Sequence, residues 1–129
     1  MSTVELTKDN FQEAIQSDKP LIIDFWAPWC GPCRSFAPTF DAAAAKHDDV
    51  VFAKINTEEQ QELAAAMRIR SIPTLMAFRE NVMLFSQAGA LSAGQLEELV
   101  TQLKQLDMAQ VHAEIAAQQA NDTDNGNNG

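Results

Sequence analysis

The order of apolar and polar positions divides the chain into alternating elements. Residues 21–27, "LIIDFWA", and 50–56, "VVFAKIN", are short apolar runs of the kind shown by strands buried on both faces. Between them, "FAPTFDAAAAKH" (36–47) is alanine-rich and reads as a helix, with Pro38 removing one internal backbone bond and predicted to bend it. Ahead of the first run, Thr7 can cap a helix over "KDNFQEAIQ" that ends before Pro20. Past the second run, Thr57 followed by Gln60 forms a capping-box pattern for a helix over "TEEQQELAAAM", with acids in its first turn.

"SIPTLMAFR" and "VMLFSQAG" read as two strands of an antiparallel hairpin joined at Glu80-Asn81, where asparagine tolerates a left-handed backbone. Ser92 and Gln95 form a second capping box for the helix "AGQLEELVTQLKQL". "VEL" near the start adds a candidate edge strand. This alternation predicts an α/β architecture, a central mixed sheet flanked by helices. No glycine or proline interrupts residues 95–120, and Val111 and Ile115 continue a thinner apolar stripe. The last helix is therefore expected to run on, or restart, to about residue 119, before a polar, glycine-rich end (121–129) expected to be disordered. The expected organisation is one domain over 1–106, a helical extension over 107–120 and a tail over 121–129.

Composition narrows the function classes. The chain has 129 residues, 46% of them hydrophobic, which suits one globular domain plus an extension. Its net charge of −9 repels nucleic acid and anionic membrane surfaces, so neither is an expected partner. The polar start "MSTVELTKDN" lacks the apolar core of a signal peptide, and no stretch reaches the ~20 apolar residues of a membrane span; a cytoplasmic location is expected.

Only two cysteines occur, Cys30 and Cys33, inside "WAPWCGPCRSF". Two are too few for a disulfide framework. A zinc site would need two further ligands, and His47 and His112 show no paired spacing, so no metal is expected. Positions i and i+3 share one face of a helix, so a helix beginning here puts the two sulfurs within bridging distance. A bond closing so small a loop contributes little stability, which points to reactivity. Unpaired amides at a helix N-terminus favour an anion, so Cys30 is the expected attacking thiolate and Cys33, one turn inside, the resolving thiol. Pro32 suits a first turn, where its missing donor is harmless, and stiffens the bridge. Gly31 lets a partner backbone come close, and Trp29 is placed to pack over the pair and shield it.

Asp24 and Lys54 are each the sole charge in an apolar run. On neighbouring strands they would meet beneath the cysteines, where burial raises the carboxyl's pKa and the ammonium lowers it. Such a group could take the proton from Cys33; the alternative is a strand-end pair reaching solvent. Ile72-Pro73 has two readings as well. On its residues alone a strand-starting trans proline is preferred over a cis one.

With "WCGPC" after a buried strand, "SIPT" about 40 residues later and "QAGALS" before a capped helix, the chain resembles the thioredoxin family over about residues 3–106. The resemblance implies the thioredoxin fold, Cys30 as nucleophile, Cys33 as resolving cysteine, and Asp24 with Lys54 as the buried acid and its partner. It also implies a cis Pro73 facing the disulfide. Ile72, Trp29, Ala88 and Gly89 would line a groove that grips an extended partner chain by strand-like main-chain bonding. Departures from the family pattern are Arg34 in place of lysine, Arg68 and Ser71 in place of glycines, Glu80-Asn81 in place of Asn-Gly, and the extension after Leu106.

The function so implied is a protein-disulfide reductase working through a reversible Cys30–Cys33 disulfide. It would be re-reduced by a flavoprotein thioredoxin reductase using NADPH, with no cofactor bound to this chain. Disulfide-containing proteins would be its substrates and a monomer its form. An oxidase or isomerase reading is weaker, because relatives of that kind commonly carry histidine between the cysteines. A third reading is a thioredoxin-fold binding or co-chaperone module acting through the extension, with Val111 and Ile115 packed on a partner or a second copy. Against it stands the simpler expectation that they fold back onto their own domain.

Overall fold

In the computed structural model, which describes the backbone over residues 3–128 and side chains over 3–120, the apolar runs form a five-stranded mixed sheet. The elements in chain order are β1 (Val4–Glu5), α1 (Phe11–Ile15), β2 (Leu21–Trp26), α2 (Gly31–Lys46), β3 (Val51–Asn56), α3 (Gln61–Ala66), β4 (Thr74–Arg79), β5 (Val82–Ala88), α4 (Ala93–Gln105) and α5 (Met108–Asn128). Strand order is β1-β3-β2-β4-β5. β1, β3 and β2 pair parallel, while β4 pairs antiparallel to β2 and β5 to β4.

Both faces of the sheet are covered, which is why β2 and β4 read as continuous apolar runs. Ile22, Phe52, Leu75 and Ala77 meet Phe36 and Phe40 of α2 and Leu96, Val100 and Leu103 of α4. The opposite face packs Leu21, Ile23, Phe25, Ala53, Ile55, Met76 and Phe78 with Phe11 and Ile15 of α1 and the half-buried Leu63 of α3. Edge-to-face rings add directional contact on each side: Phe40 with Phe52 at 5.3 Å and Phe11 with Phe78 at 6.0 Å. At its C-terminal end α2 is tied to α4. The Lys104 ammonium donates to His47 Nδ1 (3.1 Å), so His47 Nε2 carries the proton it shares with Glu97 (2.7 Å). Lys104 also pairs with Asp49 at 2.9 Å and holds that carboxyl below its ordinary range.

Two expected helix starts differ from those observed. Thr7 Oγ1 accepts from Asp9 N–H (3.2 Å), as its expected cap requires, but residues 8–10 form a turn and α1 itself begins at Phe11, later than "KDNFQEAIQ" suggests. Thr57 does not cap α3: its hydroxyl donates to Trp26 O at 3.0 Å, tying the loop to β2, and α3 starts at Gln61. The Ser92–Gln95 box forms in full. Glu80 and Asn81 both adopt left-handed φ, 53° and 67°, in the two-residue turn between β4 and β5.

The chain breaks its helix at Leu106 (φ −64°, ψ 133°) and restarts as α5, whose backbone runs to Asn128. The helix is longer than the extension expected over 107–120; the side chains of 121–128, and Gly129, fall outside the described residues. α5 folds back onto its own domain. Met108 is buried, Val111 and Ile115 are half-buried, and His112 Nε2 lies 2.9 Å from Glu80 Oε1 at the hairpin tip.

Candidate functional site

β2 delivers the chain to the sheet's C-terminal end, and a short loop turns it into α2 with Cys30 at the N-cap (φ −88°, ψ 112°). Gly31 and Pro32 occupy the first two helical positions, where proline's missing N–H leaves no bond unmade. No acidic side chain lies in the first turn of α2, so nothing offsets the positive end of the helix. Cys30 and Cys33 form a disulfide with their Cα atoms 5.2 Å apart. Cys33 N–H donates to Cys30 Sγ at 3.2 Å, so a helix-terminal amide already points at the sulfur on which charge would develop.

The pair is nearly enclosed: Cys30 is 5% exposed and Cys33 2%. Ala27 packs with them, along with the half-buried Trp26 and Ile72. Trp29, expected to shield the pair, is instead 66% exposed and stands out from the surface. Its loop position directs the ring outward, and Trp26 and Ile72 supply the cover.

Across from the disulfide, Ile72-Pro73 is cis, as the family resemblance implies and against the reading from those residues alone. The Ile72 carbonyl oxygen lies 3.7 Å from Cys30 Sγ. Gly89 N–H donates to Pro73 O at 2.8 Å, and Ala88 pairs with Thr74 at the adjoining end of the hairpin. Gly89 has φ +97°, a conformation that side chains disfavour. Ile72, Pro73, Ala88 and Gly89 thus gather at the rim beside the cysteines, with Ala88 and Gly89 open to solvent.

Asp24 and Lys54 are register partners on β2 and β3. Asp24 shares a sheet face with Ile22, the face covered by α2. It is 2% exposed, and its Oδ1 has no hydrogen-bond partner. Burial pushes its carboxyl up to about 7, against a smaller lowering by the Lys54 ammonium, while Asp41 adds to the rise. The expected direct pairing is replaced by another: Lys54 Nζ makes its ion pair with Asp41 Oδ1 on α2, at 3.1 Å. Asp41 was not among the residues singled out from sequence. Its spacing from Cys33 (i+8, the edge of the same helical stripe) is the one signal that points to it.

A buried, reversible cysteine pair at a helix N-terminus, with a carboxyl poised near neutrality on the strand that feeds it, defines a thiol–disulfide oxidoreductase. Comparison with known proteins points to the same class. The sequence model of the family described as Thioredoxin matches residues 2–105. A putative thioredoxin 2 of Streptomyces coelicolor is 50% identical over 119 residues, covering 92% of this chain and 89% of that protein. Thioredoxin C-3 of Corynebacterium nephridii is 42% identical over 103 residues, 79% of this chain and 71% of that one. Among solved structures, spinach chloroplast thioredoxin f (short form) superposes with a TM-score of 0.73 at 31% identity, covering 80% of this chain and 94% of its own. Malassezia sympodialis thioredoxin gives 0.71 at 32%, covering 80% and 92%. The chain belongs to the thioredoxin family, and its activity is that of a protein-disulfide reductase with a redox-active cysteine pair.

Proposed function

We propose that Cys30 is the nucleophile and Cys33 the resolving cysteine of this reductase. The Cys30 thiolate attacks one sulfur of a partner's disulfide; the partner's S–S bond breaks and its other sulfur leaves as a thiolate. Cys33, losing its proton to Asp24 directly or through a water, then attacks Cys30 Sγ. The mixed disulfide breaks, the partner departs with both sulfurs reduced, and the Cys30–Cys33 bond closes, two electrons having passed from this chain to the partner. The observation that carries this assignment is the position of Cys30 at the N-cap of α2, with the Cys33 amide donating to its sulfur. That donor and the helix dipole lower a thiol's pKa and stabilise it as the attacking anion.

Asp24 suits the proton acceptor's part because its carboxyl titrates near 7, where it both takes and gives a proton at neutral pH. Lys54 opposes the effect of burial on it and so helps set that value. The partner's chain would lie extended in the groove of Trp29, Gly31, Ile72, Pro73, Ala88 and Gly89, bonding through its main chain. Gly31 supports this: a Cβ there would meet nothing within 4 Å, so space stands open before the disulfide. The exposed Trp29 offers a large apolar contact to whatever binds. Recognition of main chain rather than side chains supports a broad range of disulfide-containing protein substrates.

The oxidised state is returned to dithiol by electrons from NADPH through a flavoprotein thioredoxin reductase, with no cofactor held by this chain. We place the protein in the cytoplasm as a monomer maintaining protein thiols, a compartment whose thiols are kept reduced by systems of this kind. Among the described residues no helix is long and apolar enough to cross a membrane. Insulin reduction coupled to NADPH oxidation by such a reductase tests the reading. Turnover should vanish in Cys30→Ser, and Cys33→Ser should accumulate partners as mixed disulfides that mass spectrometry detects on Cys30. Full turnover by Cys30→Ser would refute the assignment.

A further inference from the structure

Lys54 stands opposite Asp24 in register, yet its ammonium rests on a different carboxylate. A buried carboxylate oxygen without a hydrogen-bond partner is unfavourable, and a lysine on the neighbouring strand is the obvious remedy. Lys54 Nζ instead lies 3.1 Å from Asp41 Oδ1, with the Asp41 side chain 56% exposed and that of Lys54 22%. Desolvation explains the choice. Moving the ammonium fully onto Asp24 would bury both charges, whereas the pair with Asp41 keeps one partner wet.

We propose that Asp41 is a positioning residue of the dithiol reaction: by holding the Lys54 ammonium on its own carboxylate, it keeps the buried Asp24 carboxyl free of a direct cation partner. This rests on the reading of Asp24 as proton acceptor for Cys33. The groups facing Asp24 are few. β3 contributes Lys54 in register, α2 contributes Asp41, and β4 presents the apolar Leu75 in register. The charges acting on it are those of Lys54 and Asp41. A carboxylate locked to an ammonium is a poor acceptor, because its proton affinity falls far below the operating pH. With the ammonium held aside, Asp24 keeps an affinity matched to neutral solution.

The test uses the full-length oxidised protein, in which the cysteines do not titrate and the carboxyl's curve belongs to Asp24 alone. Carbon-13 NMR of the labelled Asp24 carboxyl against pH is recorded for wild type, Asp41→Asn and Asp41→Glu. The wild-type midpoint should fall near 7. Asp41→Asn removes a negative charge and releases Lys54 toward Asp24, and both changes act downward, so the midpoint should drop by about one pH unit or more. Asp41→Glu should restore it, which a merely structural role would not require. The acid limb of single-turnover insulin reduction should shift in the same direction. An Asp41→Asn midpoint equal to that of wild type overturns the proposal. Asp24→Asn separates the two readings: if it leaves the pH profile of reduction unchanged, Asp24 is not the acceptor, whatever the titration says of Asp41.

Discussion

Asp24 titrates at about 7 in the folded protein against an ordinary value of 3.8, and the direction of that shift sets a stability profile. Between those two pH values the unfolded chain has released the proton that the folded chain keeps. The unfolded state binds fewer protons there, so stability falls as pH rises through the window and stays at its lower level above it. Replacing the carboxyl by an amide removes the penalty. Asp24→Asn should therefore be more stable than wild type at pH 8, by an amount on the order of 4 kcal/mol, and no more stable at pH 3, where both states of the wild type are protonated. Urea unfolding of the oxidised protein at the two pH values checks this; a gain independent of pH would mean that packing, not ionisation, is responsible. Asp24 was legible in the sequence because a lone charge inside an apolar run demands an explanation. Asp41 was not, because an acid on a helix usually faces water, and only the fold brings Lys54 to it. Trp29 misled for a related reason. A tryptophan beside two cysteines fits a cover, but whether a loop turns its ring in or out depends on residues far along the chain, here Trp26 and Ile72 filling the place first.

Elements were readable where their determinants are local. Ser92 and Gln95 bond within one turn, Ser92 Oγ accepting from Gln95 N–H at 3.1 Å and Gln95 Oε1 from Ser92 N–H at 2.9 Å, so four residues specify the start of α4. Thr57 and Gln60 carry the same pattern, yet β2 ends beside Thr57 and its Trp26 carbonyl takes the hydroxyl, while Gln60 Oε1 accepts from Lys8 N–H. Gln60 N–H, the donor a capping Thr57 would need, goes to Asn56 O at 2.9 Å, and α3 loses its first turn. The two sites should respond differently to alanine. Ser92→Ala should lower stability by about 1 kcal/mol through loss of the cap alone. Thr57→Ala should leave α3 as it is and loosen the junction of β2 with the following loop, seen as faster amide exchange at Thr57, whose N–H donates to Trp26 O at 2.8 Å. Equal protection of the position-57 amide in the two proteins would show that the hydroxyl contributes nothing there. The hairpin shows the limit of the residue pattern again. Asn81 signals a left-handed position, but Glu80 adopts one as well because the two-residue turn between twisted strands requires both.

At the scale of the whole molecule the chemistry and the extension lie at opposite ends of the sheet. β4 begins at Thr74, next to Pro73 and the disulfide, and ends at Arg79, before the Glu80 tip that meets α5. Six residues of strand separate these ends by about 20 Å. The same tip is fastened below by Glu80 N–H to Ser17 O and Asn81 N–H to Ile15 O, both 2.8 Å, and Arg79 reaches Leu103 O of α4 at 3.5 Å. α5 thus closes the end of the fold remote from the cysteines, and its removal should affect stability without affecting reduction. The contributions are unequal. Met108 is 7% exposed, and burying such a side chain is worth roughly 1.5–3 kcal/mol. The His112–Glu80 contact is between half-exposed groups, a class worth about 0–1 kcal/mol. Met108→Ala should accordingly destabilise the chain by about 2 kcal/mol, His112→Ala by less than about 1, and ending the chain at Leu106 by close to their sum. All three should reduce insulin at the wild-type rate and leave the alkylation rate of Cys30 unchanged. A truncated chain that is as stable as the full one would mean that α5 rests on the domain without holding it. A truncated chain that folds but reduces slowly would mean that the far end of the sheet communicates with the cysteines, through β4 or α4, the elements that span both.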